Sequence, residues 1–292
     1  MRLKKCLSGI LALAMVLNTG GMEVFASGGA QPYASNTQTE SEQETVYVNS
    51  YGGDERSVSF NDHWRFFLGD ASGAQAVAYN DSAWDNVTLP HDYSIDQGFT
   101  TAAPAEQESG YVLGGTGWYR KAFTLSEDLK GKRVSIDFDG VYMNATVYLN
   151  GKQLGTHPYG YTPFSFELPS ESLYYGGQEN VLAVKVDHKQ PSSRWYSGSG
   201  IYRDVKLTVT DPVHIAHQGT QVTTPDIAQG KGTVDVVTTV ENNGEEEASV
   251  SVMQTVYEKG GQEPVAAGEK TQAETLAAGN STEISSSVTV SE

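Results

Sequence analysis

Apolar and polar residues alternate in short segments along most of the chain. Residues 134–138, 182–186 and 205–209 each place an apolar side chain at every second position. A period of two is typical of a β-strand that buries one face and exposes the other. No long segment has a convincing helical period. The pattern therefore predicts an all-β chain built from short strands.

Turn signals separate the predicted strands. The apolar segment 147–149 is followed by Asn150-Gly151, and a type I′ turn requires positive φ at both central residues. We expect a β-hairpin here. Regular short strands with such turns predict an antiparallel β-sandwich of jelly-roll type over residues 57–211. The polar segment before it predicts a disordered spacer and an entry strand over residues 27–56.

Residues 1–26 have the pattern of an export signal. Arg2, Lys4 and Lys5 precede a short apolar segment, residues 7–17, and a small-residue cleavage site follows. We predict a signal peptide and a secreted or cell-surface protein. The apolar segment is well short of the roughly 20 residues that span a bilayer, so no membrane partner is expected.

Charge and cysteine content exclude several classes of function. The formal net charge is −17, which disfavours nucleic acid and anionic membranes as partners. Cys6 is the only cysteine and lies within the predicted signal, so the mature chain should lack disulfides and thiol nucleophiles. The six histidines have no metal-ligand spacing. We therefore expect no cofactor and no metal.

A loop rich in Pro, Ser and Gly carries the strongest candidate site. It contains Arg194, Trp195 and Tyr196 between two predicted strands. Trp and Tyr offer flat apolar faces with a polar edge, and Arg offers five donors in a fixed fork. Proteins commonly grip sugars with such side chains, which predicts a substrate-binding pocket rim. In the structural alternative, Trp195 plugs the end of the sandwich core and Arg194 pairs with a carboxylate.

Asp92 is the fourth candidate for the pocket rim. It precedes a long loop, residues 94–117, and loops of that length are usually functional or mobile. Its carboxylate can contact sugar hydroxyls or cap backbone donors, and capping is the favoured alternative. Arg203 and Asp204 are expected to form a salt bridge that fixes the neighbouring loop to the sheet.

Two adjacent pairs have the composition of acid/base catalysts. They are His91-Asp92 and Asp187-His188. Neighbouring residues on a strand face opposite ways, and no matching serine motif accompanies them. No catalytic residue is therefore predicted within this chain.

Five motifs together carry a family resemblance. They are Leu89-Pro90-His91-Asp92, Gly117-Trp118-Tyr119-Arg120, Phe138-Asp139-Gly140-Val141, Val147-Tyr148-Leu149-Asn150-Gly151 and Gly200-Ile201-Tyr202-Arg203-Asp204-Val205. In this order they resemble the N-terminal sugar-binding-type domain of family-2 glycoside hydrolases, especially bacterial β-galactosidases.

The resemblance also implies the second domain. Residues 212–292 look like the start of the family's immunoglobulin-like β-sandwich, and the segment is expected to end close to where that domain finishes its strands. Alternating segments 233–241 and 248–256 fit such a domain, and Asn242-Asn243-Gly244 is expected to make the turn between them.

The resemblance implies that the chemistry lies elsewhere. Retaining glycosidases use two carboxylates about 5 to 5.5 Å apart, and in this family the pair lies on a (β/α)8 barrel of about 250 residues. The barrel would follow Glu292. The chain is thus expected to be the non-catalytic N-terminal portion of a secreted retaining β-glycosidase, β-galactosidase-like, that hydrolyses O-glycosyl bonds. Its partners would be a β-glycoside or glycan and the missing catalytic barrel.

Two points stay open at this stage. The alternative function is a stand-alone exported carbohydrate-binding module without hydrolase activity. By position, Arg194 and Trp195 match the place where the best-known β-galactosidases carry an acidic loop residue. Because this chain has Ser-Arg-Trp-Tyr there, the choice between galactosides, glucuronides and other β-glycosides is open, as is homo-oligomerisation.

Overall fold

The chain folds as two compact units of β-structure, antiparallel except for the β2–β6 pair. A computed structural model describes residues 11–18, 49–51, 56–191, 197–269 and 271–291. The predicted rim residues Arg194, Trp195 and Tyr196 lie outside these ranges, as do most of the predicted signal and spacer. One unit is Ala30–Thr210, and the other joins Asp211–Glu292 with Met1–Gly29. The predicted all-β class is confirmed.

The strands of the described residues are numbered here in chain order. They are β1 (Leu11–Asn18), β2 (Asn49–Tyr51), β3 (Ser57–Ser59), β4 (Trp64–Leu68), β5 (Asp85–Val87), β6 (Gly115–Leu125), β7 (Arg133–Phe138), β8 (Ala145–Leu149), β9 (Lys152–His157), β10 (Phe164–Leu168), β11 (Glu179–His188), β12 (Val205–Thr210), β13 (Val213–Thr223), β14 (Ile227–Ala228), β15 (Lys231–Asn242), β16 (Ala248–Tyr257), β17 (Pro264–Ala267), β18 (Glu274–Leu276) and β19 (Ser281–Ser291). Helix α1 (Tyr93–Asp96) is a single turn, and 3-10 turns cover Glu106–Ser109, Glu127–Leu129 and Ser170–Ser172.

The first unit is a sandwich of two sheets. A seven-stranded sheet has the order β5-β4-β6-β11-β8-β9, with β2 also beside β6, and a four-stranded sheet has the order β10-β7-β12-β3. Both sheets contribute to one core. Tyr119 and Phe123 of β6 enter it from the larger sheet, and Ile136, Phe138 and Leu207 enter it from the smaller. Burial of these apolar faces is the main force that holds the sheets together.

The Asn-Gly hairpin is confirmed. Strands β8 and β9 pair antiparallel, and Leu149 faces Lys152 across the turn. Asn150 and Gly151 have φ of 48° and 86°, the positive values that a type I′ turn demands. The Asn150 side chain also donates to the Ser172 carbonyl at 2.7 Å, which ties the turn to the chain beyond β10.

Strand β6 is buried on both faces, although it carries two cations. On its outer face, Arg120 is surrounded by residues 74–81. Its Nε donates to Asp81 at 2.7 Å, and its Nη1 donates to the carbonyls of Ala74 and Ala76. Only 2% of Arg120 is exposed. A buried guanidinium is tolerated only with such partners, so Arg120 fixes the path of this segment.

Lys121 points the other way, into the sandwich. Its Nζ donates to the carbonyls of Phe60 at 3.0 Å and Asp62 at 2.7 Å, and it lies 4.1 Å from the centre of the Phe60 ring. Burial lowers the pKa of Lys121 to about 7, against an opposing attraction from Asp62. The ammonium therefore fixes residues 60–62 to the central strand.

The second unit is also built from two sheets. One contains β13, β15, β14 and β19, and the other contains β1, β16, β17 and β18. Val240 of β15 and Val250 and Val252 of β16 meet in one core. The expected turn lies between β15 and β16, and these two strands belong to different sheets. The chain crosses the sandwich after Asn242, whose side chain donates to the carbonyls of Glu246 and Leu276.

Strand β1 lies within the predicted signal peptide. It pairs antiparallel with β16, from Leu11 opposite Tyr257 to Asn18 opposite Val250. If the signal is cleaved, this edge of β16 loses its partner. Unpaired strand edges favour association with other chains.

A pH titration of stability tests the buried position of Lys121. The unfolded lysine titrates near its ordinary pKa of about 10.4, so the unfolded state binds more protons than the native state between about pH 7 and pH 10. The free energy of unfolding should therefore rise with pH in this window. Lys121→Met should flatten the rise, measured by urea unfolding at several pH values. The exposed Lys152→Met variant controls for loss of a lysine, and equal slopes for wild type and Lys121→Met would contradict the assignment.

Candidate functional site

Two loops meet where β6 begins and β11 ends. Gly115, the first residue of β6, lies opposite His188, the last residue of β11. Helix α1 packs at the same end, because Tyr93 Oη donates to the Gly115 carbonyl at 2.8 Å. Burial raises the pKa of Tyr93 well above its ordinary value, so it stays a neutral donor. Of the sequence-predicted site residues, the structure describes Asp92, which lies at this end of the sandwich.

Asp92 joins the two loops through backbone donors. Its Oδ1 accepts from the amide of Ser94 at 3.0 Å and from the amide of Ser199 at 2.8 Å. The first bond caps α1, and the second reaches the segment that follows Tyr196. Gly198 completes the contact: its φ is +68°, and a Cβ there would lie 2.5 Å from Asp92 Oδ2. Asp92 therefore adopts the capping role, and contact with a sugar stays a prediction.

A directional chain of hydrogen bonds lies beneath Asp92. His188 Nδ1 is 2.5 Å from Ser199 Oγ, which is 2.5 Å from Ser94 Oγ, and Ser94 Oγ donates to the Leu113 carbonyl at 2.7 Å. The Ser94 hydroxyl has one hydrogen and donates it in the hydrogen bond to the Leu113 carbonyl. In the bond between the two serines, Ser199 must therefore be the donor. His188 must then donate from Nδ1 to Ser199. We call Asp92, Ser94, His188 and Ser199 the Asp92 cluster.

This order of donors fixes the tautomer of His188. With the proton on Nδ1, Nε2 carries a lone pair, and it has no hydrogen-bond partner among the described residues. Burial lowers the pKa of His188, while the charges of Asp92 and Asp187 oppose the shift. The imidazole is therefore neutral at physiological pH. Its ring packs edge-on against Tyr142 at 4.9 Å.

The two adjacent His-Asp pairs do not form. His91 Nδ1 lies 2.7 Å from Tyr119 Oη, and its Nε2 lies 3.1 Å from Asp96 Oδ2 rather than against Asp92. Burial lowers the pKa of His91, and Asp96 partly offsets this. Asp187 accepts from Thr116 and pairs with Lys189 instead of His188.

The Asp92 cluster contains the residue types of a nucleophilic site, but its serines are not accessible to a substrate. Ser94 and Ser199 are fully buried, and His188 is 3% exposed. A serine nucleophile has to reach its substrate, so the arrangement works as a scaffold that holds two loops together. No group of three His, Cys, Asp or Glu side chains within the described ranges could hold a metal ion.

The expected Arg203–Asp204 salt bridge is replaced by other contacts. Arg203 Nη1 donates to the Asp139 carbonyl at 3.4 Å, and Asp204 accepts from the Asn61 amide at 2.9 Å. Side chains at successive positions point apart and find separate partners. Both residues still attach the loop to neighbouring strands.

Ser94, His188 and Ser199 were not singled out as site residues by sequence reasoning. They come from three separate segments, and no periodic pattern or motif links them. The available signal was chemical: Gly198, Ser199 and Gly200 are small residues that permit close approach, as at Gly200, where a Cβ would lie 2.3 Å from Tyr119 Oη.

The fold defines a class of domain. A two-sheet sandwich of jelly-roll type with its loops gathered at one end is an architecture shared with lectin domains. The same architecture serves unrelated functions, so the fold alone does not define the function.

Comparisons identify one family. The sequence profile "Glycosyl hydrolases family 2, sugar binding domain" matches residues 57–212. The β-galactosidase BoGH2A of Bacteroides ovatus is 42% identical over 210 residues, which cover 72% of this chain and 24% of that protein. A β-glucuronidase of Formosa agariphila is 31% identical over 227 residues, which cover 70% of this chain and 23% of that protein.

A solved structure agrees with the sequence matches. The crystal structure of a family 2 member from Bacteroides cellulosilyticus superposes with a TM-score of 0.77 at 35% identity, covering 81% of this chain and 31% of that one. The chain belongs to family 2 of the glycosyl hydrolases, and residues 57–212 are its sugar binding domain. It spans about a quarter of the length of the β-galactosidase that it matches, in the N-terminal portion.

Removing the Asp92 carboxylate tests the scaffold. Asp92→Ala should lower the free energy of unfolding by about 1 to 3 kcal/mol, because the amides of Ser94 and Ser199 lose a charged acceptor. The matched control is Asp96→Ala in the same helical turn, whose side chain is 65% exposed and should cost less than about 1 kcal/mol. Urea unfolding measures both, and equal costs would refute a scaffold role for Asp92.

Proposed function

We propose that the chain is the N-terminal, non-catalytic portion of a secreted retaining β-glycosidase. The longer protein would hydrolyse O-glycosyl bonds of a β-galactoside or a related β-glycoside. One observation carries the proposal: the sugar binding domain of family 2 covers residues 57–212, while the chain spans 24% of its β-galactosidase relative. The remaining length of such a relative leaves room for a separate catalytic domain.

The contacts of the loop carboxylates support a non-catalytic role for this end of the sandwich. A retaining glycosidase needs one carboxylate as nucleophile and another as acid/base, about 5 to 5.5 Å apart. Asp92 is held by two backbone amides, and Asp187 is held by Thr116 and Lys189. Both carboxylates therefore organise loops. In the proposal, the reacting pair lies on a catalytic barrel elsewhere in the longer protein.

The proposed contribution of this chain is to shape the edge of the substrate pocket. Arg194, Trp195 and Tyr196 would supply the side chains that meet the sugar, with Asp92 beside them. The Asp92 cluster supports this, because Asp92 binds Ser199, three positions after Tyr196.

Export and specificity complete the proposal. The signal pattern of residues 1–26 directs the protein out of the cytoplasm, and no helix among the described residues is both long and apolar enough to cross a membrane. Relatives carry the names β-galactosidase and β-glucuronidase, so both substrate classes are candidates.

Hydrolysis assays on two proteins test the proposal. The chain through Glu292 should release no p-nitrophenol above the buffer blank from p-nitrophenyl β-galactoside or β-glucuronide. The complete protein read from the same gene should hydrolyse at least one of them. Turnover by the chain alone would refute the non-catalytic assignment. A reading frame that stops at codon 292 would instead favour the stand-alone carbohydrate-binding module.

A further inference from the structure

The loop between β9 and β10 exposes two tyrosines on the surface of the first unit. Tyr159 is 49% exposed and Tyr161 is 39% exposed. Their rings meet edge to face with centroids 5.7 Å apart at 67°. Beneath them, Tyr161 packs on the buried Tyr142 at 5.4 Å and 65°. We call Tyr159, Tyr161, Tyr142 and the neighbouring Tyr202 the tyrosine platform.

The platform is rigid before any ligand arrives. Tyr202 Oη donates to the Gly160 carbonyl at 2.7 Å, which fixes the loop between the two exposed rings. Gly160 itself packs so closely on Tyr142 that a Cβ would lie 2.1 Å from the ring. Since the rings are ordered by their neighbours, a ligand that stacks on them loses little binding energy to ordering.

The platform is also joined to the Asp92 cluster. The amide of Tyr142 donates to the Gly200 carbonyl at 2.9 Å, and the Gly200 amide donates back at 2.8 Å. The Tyr142 ring contacts His188 at 4.9 Å. The exposed tyrosines are therefore connected, through Tyr142, to the hydrogen-bonded residues that surround Asp92.

The chemistry of the platform fits a sugar ring. Tyrosine presents an apolar face with a polar hydroxyl at its edge, which matches the C–H face and the hydroxyl rim of a pyranose. Arg203 is an exposed residue whose guanidinium carbon lies 5.1 Å from the Tyr202 ring centre, and guanidinium donors suit sugar hydroxyls. The other exposed side chains of the loop are Pro158, Thr162 and Pro163, none of them a large aliphatic.

Two other exposed apolar side chains of the same unit differ in chemistry. Phe99 is 84% exposed and Ile95 is 62% exposed. Neither side chain has a polar edge for hydroxyl groups. The tyrosine platform is therefore the better match for a carbohydrate, and the net charge of −17 disfavours polyanions.

We propose that Tyr159 and Tyr161 form a subsite that stacks one pyranose ring of a neutral β-linked oligosaccharide, with Arg203 beside it as a hydroxyl donor. The choice of a β-linked glycan rests on the proposed function, but the binding site does not require catalysis. The two can therefore be tested separately.

Calorimetric titration of the whole chain with β-1,4-galactotetraose and with cellotetraose tests the subsite. At least one probe should bind saturably. Tyr161→Ala and Tyr159→Ala should each weaken binding by about tenfold, the loss expected for one aromatic stacking contact. Tyr161→Phe keeps the ring and should stay within about threefold of wild type. Circular dichroism and urea unfolding check that each variant is folded.

Tyr174→Ala is the matched control. Tyr174 is 41% exposed and contacts Asn180 at the opposite end of β11, so its loss should leave binding unchanged. Absence of binding to both probes, or equal binding by the platform variants and wild type, would overturn the subsite. Self-association that Tyr161→Ala abolishes, without sugar binding, would identify a contact between copies and also overturn it. None of these outcomes depends on whether the longer protein hydrolyses glycosides.

Discussion

Burial of β6 on both faces is the constraint on which the first unit depends. The strand pairs with β4 and β11 at its two edges. The core of the sandwich covers one of its faces, and the segment 74–81 covers the other. Two cations at successive positions, Arg120 and Lys121, must then find partners inside the protein, because an unpaired buried charge is very costly. Backbone carbonyls supply most of these partners. The strand therefore dictates the path of residues 60–62 and of residues 74–81, neither of which is held by long ladders of strand pairing.

The same strand positions the functional end of the sandwich. Its start is rich in glycine, and at Gly117 a Cβ would lie 2.8 Å from the Tyr93 ring and 2.9 Å from the Phe66 ring. The absence of a side chain there lets helix α1 lie against the strand. Asp92, at the N-cap of that helix, is thereby brought within reach of the Ser199 amide. Packing in the core thus sets the position of a loop carboxylate.

Local features of the fold were predictable from sequence, whereas the site was only partly so. The strand at residues 134–138 and the Asn150-Gly151 turn depend on neighbours along the chain, and both are confirmed. The expected exposed face of β7 is wrong, because Ser135 and Asp137 are buried as well. The crossing after Asn242 was missed because a turn signal does not say which sheet the next strand joins. Asp92 was singled out, but its bond to Ser199 spans 107 positions and depends on the whole sandwich being formed. Lys121 was missed for the same reason, since its carbonyl partners lie about sixty positions earlier.

The order of hydrogen-bond donors in the Asp92 cluster suits a structural role for this end of the sandwich and argues against activation of a serine. Each serine proton is committed, and the His188 Nδ1 proton is directed to Ser199, so the histidine stands at the start of the chain of donors rather than as a base that activates a serine. A network with its protons fixed in this way is suited to holding backbone in place. The two backbone hydrogen bonds between Tyr142 and Gly200 extend that rigidity to the tyrosine platform. Rigid support under exposed aromatic rings favours recognition of a ligand surface, and proton transfer at this end would require breaking the bonds that form it.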